Sequence, residues 1–215
     1  MIKNILITGS TGFIGKLLVP HLEAQGYAIT APTRADIGDI GPDTDWTPFL
    51  KDIDAVIHLA GRAHVMHEEA ADPLKLYRDV NKLGTEILAK QAAEKGVKRF
   101  IFASSVKVMG EASSHPLSVN DPPTPIDPYG ISKLGGEKAI AQFNDKMEIA
   151  ILRLPLVYGP GVKGNFNNLL KLLTKGLPLP FGWINNQRSM IFSGNLISAL
   201  EAALSVAPGT YFPSD

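Results

Sequence analysis

Short apolar runs bounded by turn residues alternate along this chain with segments whose apolar residues recur at helical spacing. Five runs, Asn4–Thr8, Tyr27–Ala31, Ala55–Leu59, Arg99–Ala103 and Glu148–Leu152, are rich in Ile, Val, Leu and Phe, as strands buried on both faces of a parallel sheet tend to be. Between them, Gly12–Gln25 carries Ile14, Leu17, Leu18 and Leu22 at helical intervals, Asp72–Lys95 carries Leu76, Val80, Leu83, Ile87 and Leu88, and Pro128–Phe143 continues the series. Asp72-Pro73 and Asp127-Pro128 mark helix starts, with an acceptor side chain at the cap and proline at the first helical position. The alternation predicts βαβ units and an α/β fold, a doubly wound parallel sheet.

The segment between Pro32 and Lys51 holds Gly, Asp and Pro; it predicts one short helical turn after Asp45 and at most a brief strand. Two more helices are expected over Asn165–Lys175 and Gly194–Ser205, with a last short strand around Tyr211-Phe212. The long connections Gly110–Asp127 and Gly159–Gly164 are functional candidates, because long irregular loops in a compact domain usually serve a ligand.

The 215 residues, 45% hydrophobic and 20% charged, suffice for one domain with a sizeable core, or for one domain and part of another. Basic and acidic residues number 21 each, so no charge excess argues for nucleic acid or a membrane surface, and a small molecule is the better ligand. Without cysteine there can be no disulfide, thiolate metal site or cysteine nucleophile, which suits a reducing cytoplasm. The opening segment lacks the signature of a signal peptide, and no stretch has the length of a membrane span. His64 and His67 precede Glu68 and Glu69 with no second set of ligands, so a solvated loop is expected there and no metal. His58 reads as a packed core histidine.

Tyr129 and Lys133 carry the most informative chemistry. Four residues apart behind a helix start, they share one helix face, and an ammonium beside a phenol favours the phenolate. That would make Tyr129 an acid/base near neutral pH. Alone, the pair is within reach of chance. The run Gly9-Ser10-Thr11-Gly12-Phe13-Ile14-Gly15 gives it context, since it follows a strand and opens a helix. There Gly9 would allow a tight turn, Gly12 would let backbone approach a pyrophosphate, and Gly15 would let the helix pack closely on the sheet.

Together, Thr8–Gly15, His58-Leu59-Ala60-Gly61, Asn81 within Val80–Thr85, Ser104-Ser105 and the Tyr129/Lys133 pair resemble the extended short-chain dehydrogenase/reductase family, in its nucleotide-sugar epimerase/dehydratase branch. The ordered matches run from residue 1 to about 195. The segment Leu154–Ile191, with Val157–Gly161 and Arg188, is further similar to bacterial UDP-sugar 4-epimerases and 4-keto-sugar reductases of polysaccharide pathways. The resemblance implies a Rossmann-type domain over residues 1–157, the start of a sugar-nucleotide lobe over 158–192, and a helix and strand over 193–215 that return to the first domain.

It also implies roles. Ser105, Tyr129, Lys133 and Asn81 would form the catalytic set, with Ser105 holding the reacting sugar oxygen and Ser104 structural. Gly9, Thr11, Gly12, Phe13, Ile14, Gly15, Arg34, Asp39, Ile40, Leu59, Ala60 and Gly61, with Tyr129 and Lys133, would line the dinucleotide site. Arg188 would clamp the nucleotide diphosphate and Asn165 would lie near the nucleotide. Where NAD-binding members carry an acid after the second strand, Thr33 and Arg34 stand here; they would suit a 2′-phosphate, which leans toward NADP and keeps NAD open. Met109, Lys107 and Asn195 also depart from the family pattern.

The implied activity is 4-epimerisation of a nucleotide sugar, a UDP-sugar in the first instance, by hydride transfer at C4. The alternatives are a 4-keto-sugar reductase and a cofactor-binding protein without catalysis. Family members are commonly homodimers through the helices matching Asp72–Lys95 and Pro128–Phe143, where Gly135, Gly136 and Ala139 would permit close packing. They also run near 300 residues, so about a third of the expected chain, mostly sugar-binding lobe, is not present in the 215 residues.

Overall fold

A computed structural model describes residues 2–62, 72–162, 165–175, 182–183 and 185–215. Its centre is a six-stranded parallel sheet in the order β2-β1-β3-β4-β5-β8. The strands are β1 (Asn4–Thr8), β2 (Ala28–Thr30), β3 (Ala55–His58), β4 (Arg99–Ser105), β5 (Glu148–Leu154) and β8 (Gly209–Tyr211). All six were expected, to within a few residues at each end. Successive side chains of a strand point to opposite faces, and two cores follow. On one face Ile5, Ile7, Ile57, Ile101 and Leu152 pack with Leu18 and Leu22 of α1 (Gly15–Ala24) and with Leu196 and Leu200 of α7 (Ser193–Ala202). On the other, Leu6, Val56, Phe100 and Phe102 pack with Leu88 and Ala92 of α4 (Thr85–Glu94), Ile140 of α5 (Pro128–Ile140) and the fully buried Trp46. The sheet is therefore doubly wound.

Several elements differ from expectation for local reasons. α1 starts at Gly15 rather than Gly12, because the chain first closes a turn in which Gly12 N–H donates to Gly9 carbonyl at 3.0 Å. No strand forms between Pro32 and Lys51; instead Thr33 opens the four-residue helix α2 (Arg34–Ile37), its N–H and hydroxyl both donating to Asp36. The helical turn after Asp45 is present, at Thr47–Phe49. The segment expected as one helix from Asp72 to Lys95 is interrupted: α3 (Pro73–Arg78) passes through π-helical turns at Asp79–Gly84 before α4 begins. A second sheet was missed, a parallel pair of β6 (Leu156–Tyr158) and β7 (Met190–Phe192), with α6 (Asn165–Thr174) between them. At three residues each, these strands are too short to show a period.

The small residues of α5 act inside the chain. A Cβ on Gly136 would lie 2.5 Å from the Asn81 carbonyl oxygen, and one on Gly135 would lie 3.2 Å from the Lys82 side chain. They let α5 rest on the π-helical turns, which corrects the expectation that they serve packing between copies.

Candidate active site

The functional candidates converge at the carboxyl ends of β1, β3 and β4, where open α/β sheets bind ligands. Gly9 follows β1 with φ +72°, and a Cβ there would lie 2.8 Å from Ala60 N. The end of β1 and the segment after β3 are thus pressed together, and only glycine fits at the contact. A Cβ on Gly15 would meet the Gly9 carbonyl at 2.3 Å, so this glycine seats α1 on the turn itself rather than on the sheet. Gly12 is exposed, with nothing but the Gly9 carbonyl near its α-hydrogens. The turn therefore presents bare backbone beside the first N–H groups of α1, a cradle that fits a dinucleotide diphosphate.

Thr11 is exposed and Phe13 and Ile14 are half-buried around this cradle, and a Cβ on Gly161 of the loop after β6 would lie 4.0 Å from the Phe13 ring. Leu59, Ala60 and Gly61 line the opposite side. A Cβ on Gly61 would fall 2.8 Å from Asn81 Oδ1 and 3.2 Å from Lys133 Nζ, so the segment after β3 packs closely on both side chains. Arg34 and Asp39 come together in an exposed ion pair, Nε to Oδ1 2.9 Å. Ile40 turns inward, and its Cγ2 would be 2.5 Å from a Cβ on Gly84.

Tyr129 stands in the first turn of α5, held by Asp127, whose carboxylate accepts from Gly130 N–H at 2.7 Å. Ser105 acts on its hydroxyl to favour the phenolate, and its ring meets Tyr77 edge-on at 6.1 Å. Ser105, at the end of β4, also accepts from Lys107 N–H at 3.2 Å. Asn81, in the π-helical turns, is buried, with Oδ1 accepting from Arg62 N–H at 2.8 Å and Nδ2 donating to Arg62 carbonyl and Ser132 Oγ, each at 3.0 Å. Ser132 donates in turn to the Tyr129 carbonyl at 2.7 Å. Ser104 donates to Glu137 at 2.5 Å, within a buried ion pair of Glu137 and Arg153, and so is structural.

One electrostatic expectation fails. Burial pushes the Tyr129 phenol above its ordinary value, Asp127 and Tyr77 push the same way, and the Ser105 hydrogen bond opposes them. Lys133 does not lower it. Its ammonium donates to Ala103 carbonyl at 2.8 Å and lies 4.7 Å above the Phe102 ring. Burial pulls Lys133 itself down to about 8, against the raising influence of Glu137. Sharing a helix face put the two side chains on one side of α5 without aiming the ammonium at the phenol.

Two further candidates fall in the segment between β6 and β7. Arg188 is exposed, two residues ahead of β7, and Asn165 begins α6. His64, His67, Glu68 and Glu69 lie outside the described residues. No group of three or more His, Asp or Glu among the described residues could hold a metal, and none of their helices is long and apolar enough to cross a membrane. A cavity of 1360 Å³ opens at the amino ends of β4, β5 and β8, beside Lys98, Arg99, Glu148 and Gly209. That is the end of the sheet away from the glycine turn. Sequence reasoning missed Tyr77 and Ser132, which brace Tyr129 from two sides; a seryl residue three beyond the tyrosine on the helix was the available signal for the second.

A doubly wound sheet with a glycine turn after β1, and Tyr129 of α5 beside Ser105 at the end of β4, is the architecture of a dinucleotide-binding fold. Comparison with known proteins is more specific. Residues 5–211 match the model of the NAD dependent epimerase/dehydratase family, and the chain belongs to that family. It is 45% identical over 216 residues to a UDP-glucose 4-epimerase of Vibrio cholerae, covering 93% of this chain and 66% of the relative. It is 30% identical to the N-acetyl-alpha-D-glucosaminyl-diphospho-ditrans,octacis-undecaprenol 4-epimerase of Escherichia coli O157:H7, covering 97% of this chain and 66% of that one. The solved structure of a UDP-glucuronic acid 4-epimerase from Bacillus cereus in complex with NAD superposes with a TM-score of 0.82 at 28% identity, over 98% of this chain and 77% of the other. The chain thus spans just under two thirds of the length of either sequence relative.

Proposed function

We propose that this chain carries the cofactor site and the acid/base of an NAD-dependent nucleotide-sugar 4-epimerase acting on a UDP-sugar. The observation that carries the reading is Tyr129, in the first turn of α5, with Ser105 at the carboxyl end of β4 acting on its phenol, β3 alone separating β4 from the strand of the glycine turn, in a chain whose relatives are named as 4-epimerases. Bound NAD would accept and return a hydride. Gly9, Gly12 and Gly15 form its cradle, Thr11, Phe13 and Ile14 border it, and Leu59, Ala60 and Gly61 flank it. Asn81 and Lys133 support the site from beneath, and Ser105 binds the C4 oxygen of the sugar. Tyr129, as the phenolate, takes the proton of that oxygen as the hydride leaves C4 and gives it back when the hydride returns, with Ser105 donating to the phenolate. Arg188 and Asn165 belong to the sugar-nucleotide lobe in this reading.

NAD is favoured over NADP, because Arg34 is engaged by Asp39 and the Thr33 hydroxyl by Asp36, leaving the pair less available to a 2′-phosphate. A homodimer through α3, α4 and α5 is supported by the exposed Leu76 and Ile131; light scattering decides it. We assign the protein to the cytoplasm, in polysaccharide synthesis, on its cysteine-free composition and the class of sugar named for its relatives.

The test is incubation with UDP-glucose and UDP-N-acetylglucosamine without added reductant. C4-inverted product with no net consumption of cofactor is expected. A requirement for a keto sugar and reduced cofactor would replace the epimerase reading with a reductase.

A further inference from the structure

His58 ends β3 with no exposed surface and has no part in the chemistry proposed above. Both its ring nitrogens are engaged: Nδ1 lies 2.6 Å from Thr8 Oγ1 and Nε2 lies 3.0 Å from Thr85 Oγ1. The neighbours decide which nitrogen holds the proton. The Thr85 hydroxyl donates to the Asn81 main-chain carbonyl at 2.9 Å, so its one hydrogen is committed and it can only accept from the ring. Nε2 is therefore the protonated nitrogen. Nδ1 must then accept from the Thr8 hydroxyl, whose oxygen accepts in turn from Ala60 N–H at 3.2 Å. Burial holds the ring neutral, with its pKa pulled down to about 3 and Lys133 adding to the effect. Phe102, stacked at 5.7 Å and 18°, fixes the ring plane.

These bonds form one directed chain, from Ala60 N–H through Thr8, His58 and Thr85 to the Asn81 carbonyl. It starts where the glycine turn meets the β3 segment and ends in the π-helical turns. The Asn81 side chain extends it through Ser132 to the main chain of Tyr129. No other ring in the described cofactor region joins the two halves of the site in this way.

We propose that His58 is a positioning residue which, as the Nε2–H tautomer, ties the dinucleotide turn to Asn81 and so sets the register between bound cofactor and the Tyr129 helix. The proposal rests on the roles given above to the glycine turn and Asn81. It has two separable arms. An asparagine amide can replace the Nδ1 acceptor but does not reach Thr85, whereas a glutamine amide can replace the Nε2–H donor but not the Nδ1 acceptor.

The experiment measures hydrogen exchange, NAD affinity and ring nitrogen resonances. In the wild type, 15N spectra should show Nδ1 unprotonated and Nε2 protonated, unchanged from pH 5 to 9. His58→Asn should speed amide exchange across Asp79–Thr85 about tenfold, as for one lost buried hydrogen bond, with a smaller effect on the dissociation constant of NAD. His58→Gln should do the reverse, weakening NAD about tenfold with a smaller effect on that exchange. Thr85→Val and Thr8→Val, which leave the ring in place, should repeat the asparagine and glutamine patterns respectively. In turnover of UDP-glucose, His58→Asn should lose more in kcat and His58→Gln more in the concentration of NAD required. A ring protonated at Nδ1, or four variants whose effects track only their loss of thermal stability, would overturn the proposal. If the wild-type chain shows no epimerisation, the functional reading falls, while exchange and the ring tautomer still decide the role of His58.

Discussion

Replacing Lys133 with methionine should change how stability depends on pH. The side chain is 4% exposed, and burial pulls its pKa from the ordinary 10.5 to about 8. That difference means the folded chain disfavours the ammonium by roughly 3 kcal/mol. Below about pH 8 the group is protonated in both states and the cost is present in full. Between about 8 and 10.5 the unfolded chain holds a proton that the folded one has released, so stability rises with pH. Lys133→Met removes the titrating group and its slope. Relative to that variant, the wild type should gain about 2 kcal/mol between pH 7.5 and 9.5, or roughly 4–8 °C in Tm for a chain of this size. Tyr129 is raised above 10 and costs stability only as pH climbs past that value, outside the window and equally in both proteins. Urea or thermal unfolding across the window is the assay. Parallel curves for the two proteins would refute the claim that Lys133 is held as a poorly compensated buried ammonium.

Other expectations concern the site and its support. Tyr129→Phe should keep NAD binding and lose about 10²- to 10⁴-fold in kcat, the range for removal of a general acid/base; retained turnover would assign the proton to another group. Difference absorbance titration of wild type against Tyr129→Phe should place the phenol above 10, its ordinary value. Gly9→Ala sets a side chain at φ +72° and 2.8 Å from Ala60 N, and should cost about 1–3 kcal/mol and most of the NAD affinity; urea unfolding and cofactor titration read the two effects. Arg153→Met strands the Glu137 carboxylate in a buried site with Ser104 as its remaining donor, and should cost about 3–5 kcal/mol. Adding Glu137→Leu to it should recover most of that loss in the same urea assay.

What could be read from the sequence was what depends on main-chain pattern. The runs around Ile5–Ile7, Val56-Ile57 and Phe100–Phe102 are apolar on both alternating faces because helices cover both sides of the sheet, so their strand character was legible without any contact known. The glycine turn was legible too, since Gly9 and Gly15 are required by main-chain crowding within a few residues of themselves and the β3 end. Elements too short to repeat their own period escaped, as β6, β7 and α2 did. The π-helical turns escaped for another reason: Val80–Thr85 has good helical spacing, and what widens the turn is tertiary, with Gly136 pressing on the Asn81 carbonyl and Thr85 bonded both to it and to His58.

The same limit explains the failed electrostatic expectation. An i,i+4 spacing constrains where Cβ atoms lie, but Nζ of lysine sits at the end of four further bonds and goes where a buried ammonium can be hydrogen-bonded. On α5 that partner is the Ala103 carbonyl of β4, under the face of Phe102. The phenol of Tyr129, one turn earlier, reaches Ser105 instead. Moving the ammonium toward the phenol would exchange the carbonyl bond for a charge–phenolate contact, which is favourable only once the phenol has lost its proton. Tyr129 and Lys133 would therefore couple only once the phenol has lost its proton; while the phenol keeps it, Ser105 and the Ala103 carbonyl hold the phenol and the ammonium on separate partners.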